Sequence, residues 1–462
     1  MSNAPQKIGN YRWTIVSLLL FATTVNYMDR NVIGFLKDYF CSVEGFGWTS
    51  EQYSYLTSFF TGFYAGFTLI AGWVIDKVGT KIGLAGSLIL WSLAGMLSAF
   101  MGKGLPAHIA ARSLFGMGEA GNFPASNKTI AEWFPKKERA LAVGIFNSGS
   151  NMGAMICALL VPWALLMWNN DNLFLGIFHG WQMAFLITGI VGFIWLIFWG
   201  ISYMTPKRAL ERGIIMQPEY DHIHSDVEEA STVVIDPETG KAAKVPWFKM
   251  LTYRQTWAFV AGKFLTDGIW WFLLFWLPTY VKQQFCVGLD KETTAEYVMI
   301  SNFIVFGVAI IGSVYGGSIP MSFINKGWAT YKARMTAMLL IACAPLALLS
   351  TQWFASNYGI IAAIAVICIG GAAHQAWSAN LFTTVSDMFP KKAVGTVTGI
   401  GAAAGGLGGV LVQILAGKLD GSATLTNTQA YGIMFSLCAF AYLLAWAIMK
   451  WLVPQHKPIT DL

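Results

Sequence analysis

Read for its apolar and polar positions, the chain breaks into about twelve runs, each long enough to cross a bilayer core as a helix of about 20 residues. They fall at 13–36, 51–75, 83–102, 106–127, 140–168, 181–204, 255–280, 294–318, 334–352, 358–386, 394–417 and 429–452. Helix is expected throughout, because other backbone facing lipid leaves its polar groups unpaired. The connections are short except for a polar stretch of mixed charge that carries Glu228, Glu229, Asp236, Glu238, Lys241 and Lys244. It divides the chain into an N-terminal six-helix bundle (1–204), a central loop (205–254) and a C-terminal six-helix bundle (255–462). The end of that loop, Val245 to Arg254, reads as an interfacial segment leading into span seven. The expected fold class is an all-α polytopic membrane protein.

Composition supports this reading. The chain is 55% hydrophobic and 12% charged, against roughly 25% charged in soluble domains. A net charge of +6 would suggest a nucleic-acid partner in a soluble protein, but its distribution argues otherwise. About 22 of the 30 Lys and Arg fall on one side of the bilayer and about five on the other. The basic side includes Lys7, Arg12, Lys77, Lys81, Lys136, Lys137 and Lys391, so both termini are expected in the cytoplasm and the lipid bilayer is the expected partner, with no nucleic acid. The first apolar run is of span length with no small-residue cleavage site after it, so it reads as a retained span. Six cysteines show neither CxxC nor Cys/His spacing, so no metal is expected. Cys41 and Cys286 follow spans one and seven at equivalent places; they are expected to stay unbonded, because a bond of about 2 Å would tie the halves together.

Charges inside the apolar runs carry the chemistry. Asp29 and Arg30 lie in span one, Arg112 and Glu119 in span four, and Lys263 and Asp267 in span seven. A charge at bilayer depth costs a few kcal/mol at least, so it persists where it is paired, solvated by a cavity or in use. Both signs occur on separate spans, which points to a pathway for an anion and for protons. Arg112 and Glu119 stand seven apart and share a helix face. Their bland reading, with Asp29 and Arg30, is a structural ion pair between spans one and four. Lys263 and Asp267, at i and i+4, can neutralise each other; that reading and a substrate role both stay open. His374, Gln375 and Ser378 lie in span ten with Trp377, and Tyr27, Tyr64, Trp270 and Trp271 offer faces for a sugar ring. A lone helical His is commonly a packing residue, and most aromatics here would pack or face lipid.

The halves echo each other. Glu132-Trp-Phe-Pro-Lys-Lys137 follows span four and Asp387-Met-Phe-Pro-Lys-Lys392 follows span ten, as in a duplicated six-helix unit with its site between the repeats. Small residues from Gly399 to Gly409 in span eleven, and Gly62 and Gly66 in span two, favour close packing.

The turn Gly72-Trp-Val-Ile-Asp76-Lys77-Val-Gly79-Thr-Lys81 closely resembles the signature loop of the major facilitator superfamily. Its counterpart after span eight, from Gly316 to Lys326, lacks the Asp. Within the superfamily the chain resembles the anion:cation symporter branch and its bacterial hexuronate transporters. The stretches that carry this are Asn26-Tyr-Met-Asp29-Arg30-Asn31, Glu132 to Arg139 with Val143 to Gly149, Lys263 to Trp271, and Gly371 to Ser378. The resemblance implies two pseudo-symmetric bundles with Asp29 and Glu119 taking up protons under the influence of Arg112. It implies that Arg30 receives the substrate carboxylate, a task suited to a planar guanidinium. It assigns a cytoplasmic gate to Gly72, Asp76, Lys77, Gly79 and Lys81. Two departures stand out: Gly268 where relatives often have Pro, and Ser150 where some sugar-acid relatives have Gln.

The expectation is a monomeric carrier in a bacterial inner membrane, with no catalytic residues and no cofactor, importing a hexuronate with protons as the coupling ion. The rivals are a carrier of another organic anion (an aldonate, glucarate or aromatic acid), a non-transporting solute sensor and a membrane enzyme. The short central loop disfavours a sensor, and no nucleophile–base pair supports an enzyme.

Overall fold

The structure, a computed structural model, describes residues 8–169, 172–225, 247–316, 318–389, 391–455 and 459. Most of the central loop therefore lies outside the described residues, as do the side chains of Asp76, Lys136, Lys137, Lys391 and Lys392. The N-terminal half contains α1 (Tyr11–Cys41), α2 (Ser50–Val78), α3 (Thr80–Ser98), α4 (Leu105–Glu119), α5 (Asn122–Trp133), α6 (Lys136–Met167) and α7 (Gly180–Ser202). Short helices α8 (Pro206–Glu211), α9 (Gln217–Ile223) and α10 (Trp247–Met250) flank the central gap. The C-terminal half contains α11 (Arg254–Phe285), α12 (Lys291–Gly316), α13 (Ser318–Ile324), α14 (Thr330–Cys343), a 3-10 segment (Ala344–Ser350), α15 (Thr351–Met388), α16 (Lys391–Asp420) and α17 (Asn427–Leu452).

Nine described stretches are long and apolar enough to cross a membrane; one of them, Thr330–Val385, is broken at Gly359 (φ 77°, ψ −165°) and holds two crossings. The other crossings are α1, whose Asp29 and Arg30 dilute its apolarity, and the α4–α5 pair, each of which is too short to cross alone. The sequence reads span four as one run; the structure splits it between Glu119 and Asn122. At the split α3 passes close by: a Cβ on Gly121 would stand 2.0 Å from Ser87 Oγ. Local signals start several helices. Thr49 and Gln52 form a reciprocal capping box on α2, and Thr426 and Gln429 do so on α17. Gly79, at φ 84°, makes the tight joint between α2 and α3.

In the N-terminal bundle α1 packs on α6 and α7, α2 on α4, and α3 on α4 and α7; in the C-terminal bundle α11 packs on α16 and α17, and α12 on α15. The bundles meet where α2 lies along α16, α6 along α12, and α1 along α11. The repeat relates α1 to α11 and carries the α2–α16 contact onto the α12–α6 contact, so the interface has an approximate two-fold axis. Along α2 and α16 the backbones come very close: added Cβ atoms on Gly406 and Gly417 would lie 2.3 Å from Ala65 Cβ and Ser54 Cβ. The glycine run of span eleven is thus a packing surface, as small residues in membrane helices commonly are.

The face opposite the termini is tied across the halves. Lys37 on α1 meets Asp420 at the end of α16 at 2.6 Å, with both side chains buried. Lys282 reaches Asp38 at 3.7 Å, and Lys291 reaches Glu44 at 3.6 Å. Tyr53 Oη donates to the Phe275 carbonyl (3.2 Å), while Gln413 Oε1 accepts from Thr57 Oγ1 (3.1 Å) and Trp276 Nε1 (2.6 Å). At the terminal face, ion pairs hold Arg12 to Glu138 and Glu219, and Arg334 to Asp387, and His222 Nε2 lies 2.9 Å from Glu138 Oε1. Cys41 and Cys286 carry free thiols.

Candidate functional site

The α1 residues named from the sequence face two directions. Arg30 is buried and its Nε donates to both oxygens of Glu119, at 2.9 and 3.1 Å. Its guanidinium carbon lies 4.2 Å from the ring centre of Tyr27, 4.9 Å from Tyr64 and Trp271, and 5.7 Å from Phe60. An aromatic cage of this kind stabilises a partly desolvated cation through the ring quadrupoles. Arg30 Nη2 is buried with no hydrogen-bond partner among the described residues. The cage thus holds a guanidinium with one edge on a carboxylate and a donor to spare.

Asp29, one residue earlier on α1, points into the N-terminal bundle. Thr188 and Trp91 stand beside its carboxylate and the Arg112 charge acts on it, yet neither oxygen has a hydrogen bond of normal geometry. Arg112 is equally buried, between the rings of Phe115 (4.9 Å) and Phe185 (5.0 Å), and its Nε and Nη2 are unpaired. The expected meeting of charges from spans one and four therefore takes place in two places: a direct Arg30–Glu119 pair, and an open Asp29–Arg112 association deeper in the bundle. The sequence could not say which cation would take which carboxylate.

In the C-terminal half, Lys263 and Asp267 pair at 2.6 Å along α11. Phe382 lies 4.7 Å beneath the ammonium, and a Cβ on Gly405 would stand 2.2 Å from Asp267 Oδ2, so α16 accommodates the carboxylate by having no side chain there. Trp270 stacks on His374 at 5.1 Å and 6°. His374 Nδ1 shares a hydrogen bond with Tyr442 Oη at 2.8 Å. The packing reading of His374 is thus satisfied through Tyr442, a residue with no motif to announce it. Gln375 is buried with no side-chain hydrogen bond among the described residues, and Ser378 is half-buried. Consecutive Trp270 and Trp271 join the two clusters: one stacks on His374 in the C-terminal half, the other on Arg30 in the N-terminal half.

The signature-loop residues act at the terminal face. Lys77 Nζ lies 3.7 Å over Trp73, and Lys81 Nζ donates to the Gly200 and Tyr203 carbonyls (2.9 and 2.7 Å) that end α7. A cation on a helix C-terminus complements both its orphan carbonyls and its dipole. Gly72 has open space around it, and the Asp76 side chain lies outside the described residues. A separate cavity of about 540 Å³, lined by Leu348, Gln352, Gln429, Phe435 and Ser436, holds none of the ionisable residues above.

Comparison with known proteins bears on the fold and the family. The chain is 30% identical to a hexuronate transporter of Escherichia coli (strain K12) over 458 residues, covering 99% of this chain and 97% of that one. It is 32% identical to a galacturonate transporter of Dickeya chrysanthemi over 319 residues, 69% of this chain and 84% of that one. A D-galactonate transporter of Escherichia coli O6:H1 is 29% identical over 423 residues, 89% of this chain and 90% of that one. Among solved structures, a bacterial homologue of the human lysosomal transporter Spinster, inward-facing and unoccupied, superposes with a TM-score of 0.72 at 16% identity, covering 99% and 100% of the two chains. The xylose transporter XylE from E. coli, partially occluded and inward-open, gives 0.70 at 14% identity, covering 96% and 100%. The Major Facilitator Superfamily model matches residues 19–413, most of the chain. The twelve-crossing fold, the repeated halves and this match agree: the chain belongs to the Major Facilitator Superfamily.

Proposed function

We propose that the protein imports a sugar-acid monoanion of the hexuronate class together with protons, by alternating access. The observation that carries this is a charge balance. The buried site brings together Arg30, Arg112 and Lys263 with Asp29, Glu119 and Asp267, and each cation has a carboxylate partner beside it. An anion entering so balanced a site adds an uncompensated charge in a low-dielectric interior. A proton arriving with it removes that charge. Protonation of Glu119 also ends its claim on Arg30 Nε, so the guanidinium can turn its planar edge to the cargo carboxylate.

In this reading Asp29 and Glu119 are the proton carriers and Arg112 tunes them. Tyr27 and Tyr64 shape the cage, while Trp270, His374, Gln375 and Ser378 contact the sugar from the C-terminal half. Lys263 and Asp267 hold each other until cargo competes for the ammonium. The two bundles, 1–204 and 255–462, rock about the site, with 205–254 as the connecting loop. The terminal face is cytoplasmic and the membrane is the inner membrane of a bacterium. The tied far face is what an inward-facing carrier requires, and the Gly72–Lys81 turn would belong to the gate that closes the cytoplasmic side. The names of the relatives, which include carriers of hexuronate, galacturonate and galactonate, support the cargo class.

The test is uptake of labelled sugar acids by membrane vesicles, with glucuronate, galacturonate, galactonate and glucarate compared with and without a proton gradient. Gradient-dependent accumulation strongest for the uronates is expected. Accumulation indifferent to the gradient would refute the coupling, and preference for galactonate or glucarate would reassign the cargo.

A further inference from the structure

Inside the N-terminal bundle, away from the Arg30 cage, several fully buried polar atoms have no hydrogen-bond partner among the described residues: both amide atoms of Asn26, both oxygens of Asp29, Asn122 Oδ1, Ser126 Oγ and Trp133 Nε1. An unpaired buried polar atom loses its hydration for nothing in return, and native proteins rarely leave more than a few. Here they follow a line. Thr23, Asn26 and Asp29 recur every third residue along one face of α1, while Asn122, Ser126, Thr129 and Trp133 form a stripe down one face of α5. The two helices run side by side in opposite directions. Asn122 Nδ2 donates to Thr23 Oγ1 at 3.4 Å near the middle, and Tyr11 packs on Trp133 at 5.6 Å near the terminal face. At its lower end the stripe reaches Tyr203, which interacts with Thr129 and donates to Glu132 Oε2 at 2.8 Å. Glu132 also accepts from Thr80 and is half-buried at the terminal face.

We propose that this lane binds a file of water molecules that conducts protons between Asp29 and Glu132 through the N-terminal bundle, separately from the cargo path. Buried waters settle where each finds two to four polar partners, and the unpaired atoms of α1 and α5 supply such partners at successive turns. A proton leaving the Asp29 carboxyl passes to the nearest water, each water hands one on, and the Glu132 carboxylate takes the last and yields it to the aqueous face. The Arg112 cation stands at the Asp29 end only, so it repels a hydronium from going further into the bundle and leaves the lower lane free. This inference rests on the proton-coupled reading above. It adds that cargo and proton leave by different routes, so a variant can lose one and keep the other.

The test uses the full chain in proteoliposomes, with Ser126→Ala and Asn122→Leu, which remove the polar lane atoms and leave apolar side chains. Exchange of labelled glucuronate across the membrane, which needs no net proton movement, should stay within about twofold of the parent. Cargo-dependent proton uptake, read with an internal pH dye, should fall at least tenfold. Unchanged proton uptake in both variants would overturn the lane, whereas a parent protein that exchanges glucuronate without moving protons would overturn the coupling itself. A second measurement needs no variant. Radiolytic hydroxyl labelling of the parent should oxidise Trp133 several-fold faster than Trp195, which is equally buried but has its Nε1 bonded to the Leu18 carbonyl. Equal rates would overturn the proposal whatever the variants do.

Discussion

Replacing Asp420 with Asn should open the far face. Asp420 Oδ2 lies 2.6 Å from Lys37 Nζ and accepts from Ser50 Oγ at 2.5 Å, while Oδ1 accepts from Tyr431 at 3.3 Å. The two ionic side chains are 4% and 1% exposed, so the pair is essentially dry. Removing one partner of a buried pair strands the other charge, at a cost of about 3–5 kcal/mol. Part of this is offset because the Lys37 ammonium keeps the Trp276 face, 4.4 Å away, a contact of about 0.5–2 kcal/mol. The lower figure, about 3 kcal/mol, is therefore the working estimate. When the far face opens, Lys37 reaches water and the penalty disappears, so it acts on the closed state alone. At about 1.4 kcal/mol per tenfold, the closed-to-open ratio should fall by about 100-fold.

The assay is modification of a Thr57→Cys reporter by a membrane-impermeant maleimide, in a background with the native cysteines replaced. Thr57 is 1% exposed behind the closed face, so its labelling rate follows the open fraction. The rate should rise by up to two orders of magnitude in Asp420→Asn. It should return to within a few-fold of the parent in Lys37→Met with Asp420→Leu, which removes both charges and keeps the volume. A labelling rate unmoved by the single substitution would refute the reasoning, and an equally raised rate in the double variant would show that shape, not charge, holds the face shut.

Three further outcomes are expected. Glu119→Gln should abolish gradient-driven accumulation but leave cargo exchange measurable; vesicles of this variant that accumulate normally would remove Glu119 from the coupling. Arg30→Lys keeps the charge but loses the planar guanidinium that meets Glu119 and, in the proposed reading, the cargo, so binding of the acid should weaken at least tenfold, as a titration would show; unchanged affinity would make Arg30 structural. At the terminal face, partial burial pushes the Glu138 carboxyl up, but the hydrogen bonds from Arg12 and His222 outweigh it and hold the group below its ordinary value. A depressed carboxylate contributes stability above its unfolded pKa and loses it as pH falls through the folded one. Glu138→Gln should therefore lower the melting temperature at neutral pH and make little difference well below the carboxylate range; an equal loss at both would refute the ionic account.

Much of the fold was legible because bilayer length and hydrogen-bond satisfaction leave helices as the solution for the apolar runs. What escaped was set by neighbours rather than by the run itself. The break before Asn122 falls where α3 passes close, and the Gly359 break lies inside an otherwise continuous apolar stretch. Among the site residues, the Lys263–Asp267 pair was readable because an i,i+4 spacing fixes the geometry. Arg30 and Glu119 are 89 residues apart, and Lys37 and Asp420 are 383 apart; nothing local names such partners. Tyr442 and Phe60 carried no signal at all, being aromatics in a chain full of them.

The glycine seam between α2 and α16 has a mechanical meaning. Helices that mesh by side-chain ridges in grooves must climb over one another to move, and every step of relative rotation meets a barrier. Where Gly406 and Gly417 face Ala65 and Ser54, the ridges are worn away and the α16 backbone bears on the small side chains of α2. Such a surface suits the proposed rocking as a plain bearing would: it fixes the separation of the halves while offering little resistance to relative rotation. In that motion the polar fastenings of the far face would set the pace of the swing, and a single methyl added to the bearing would act as grit.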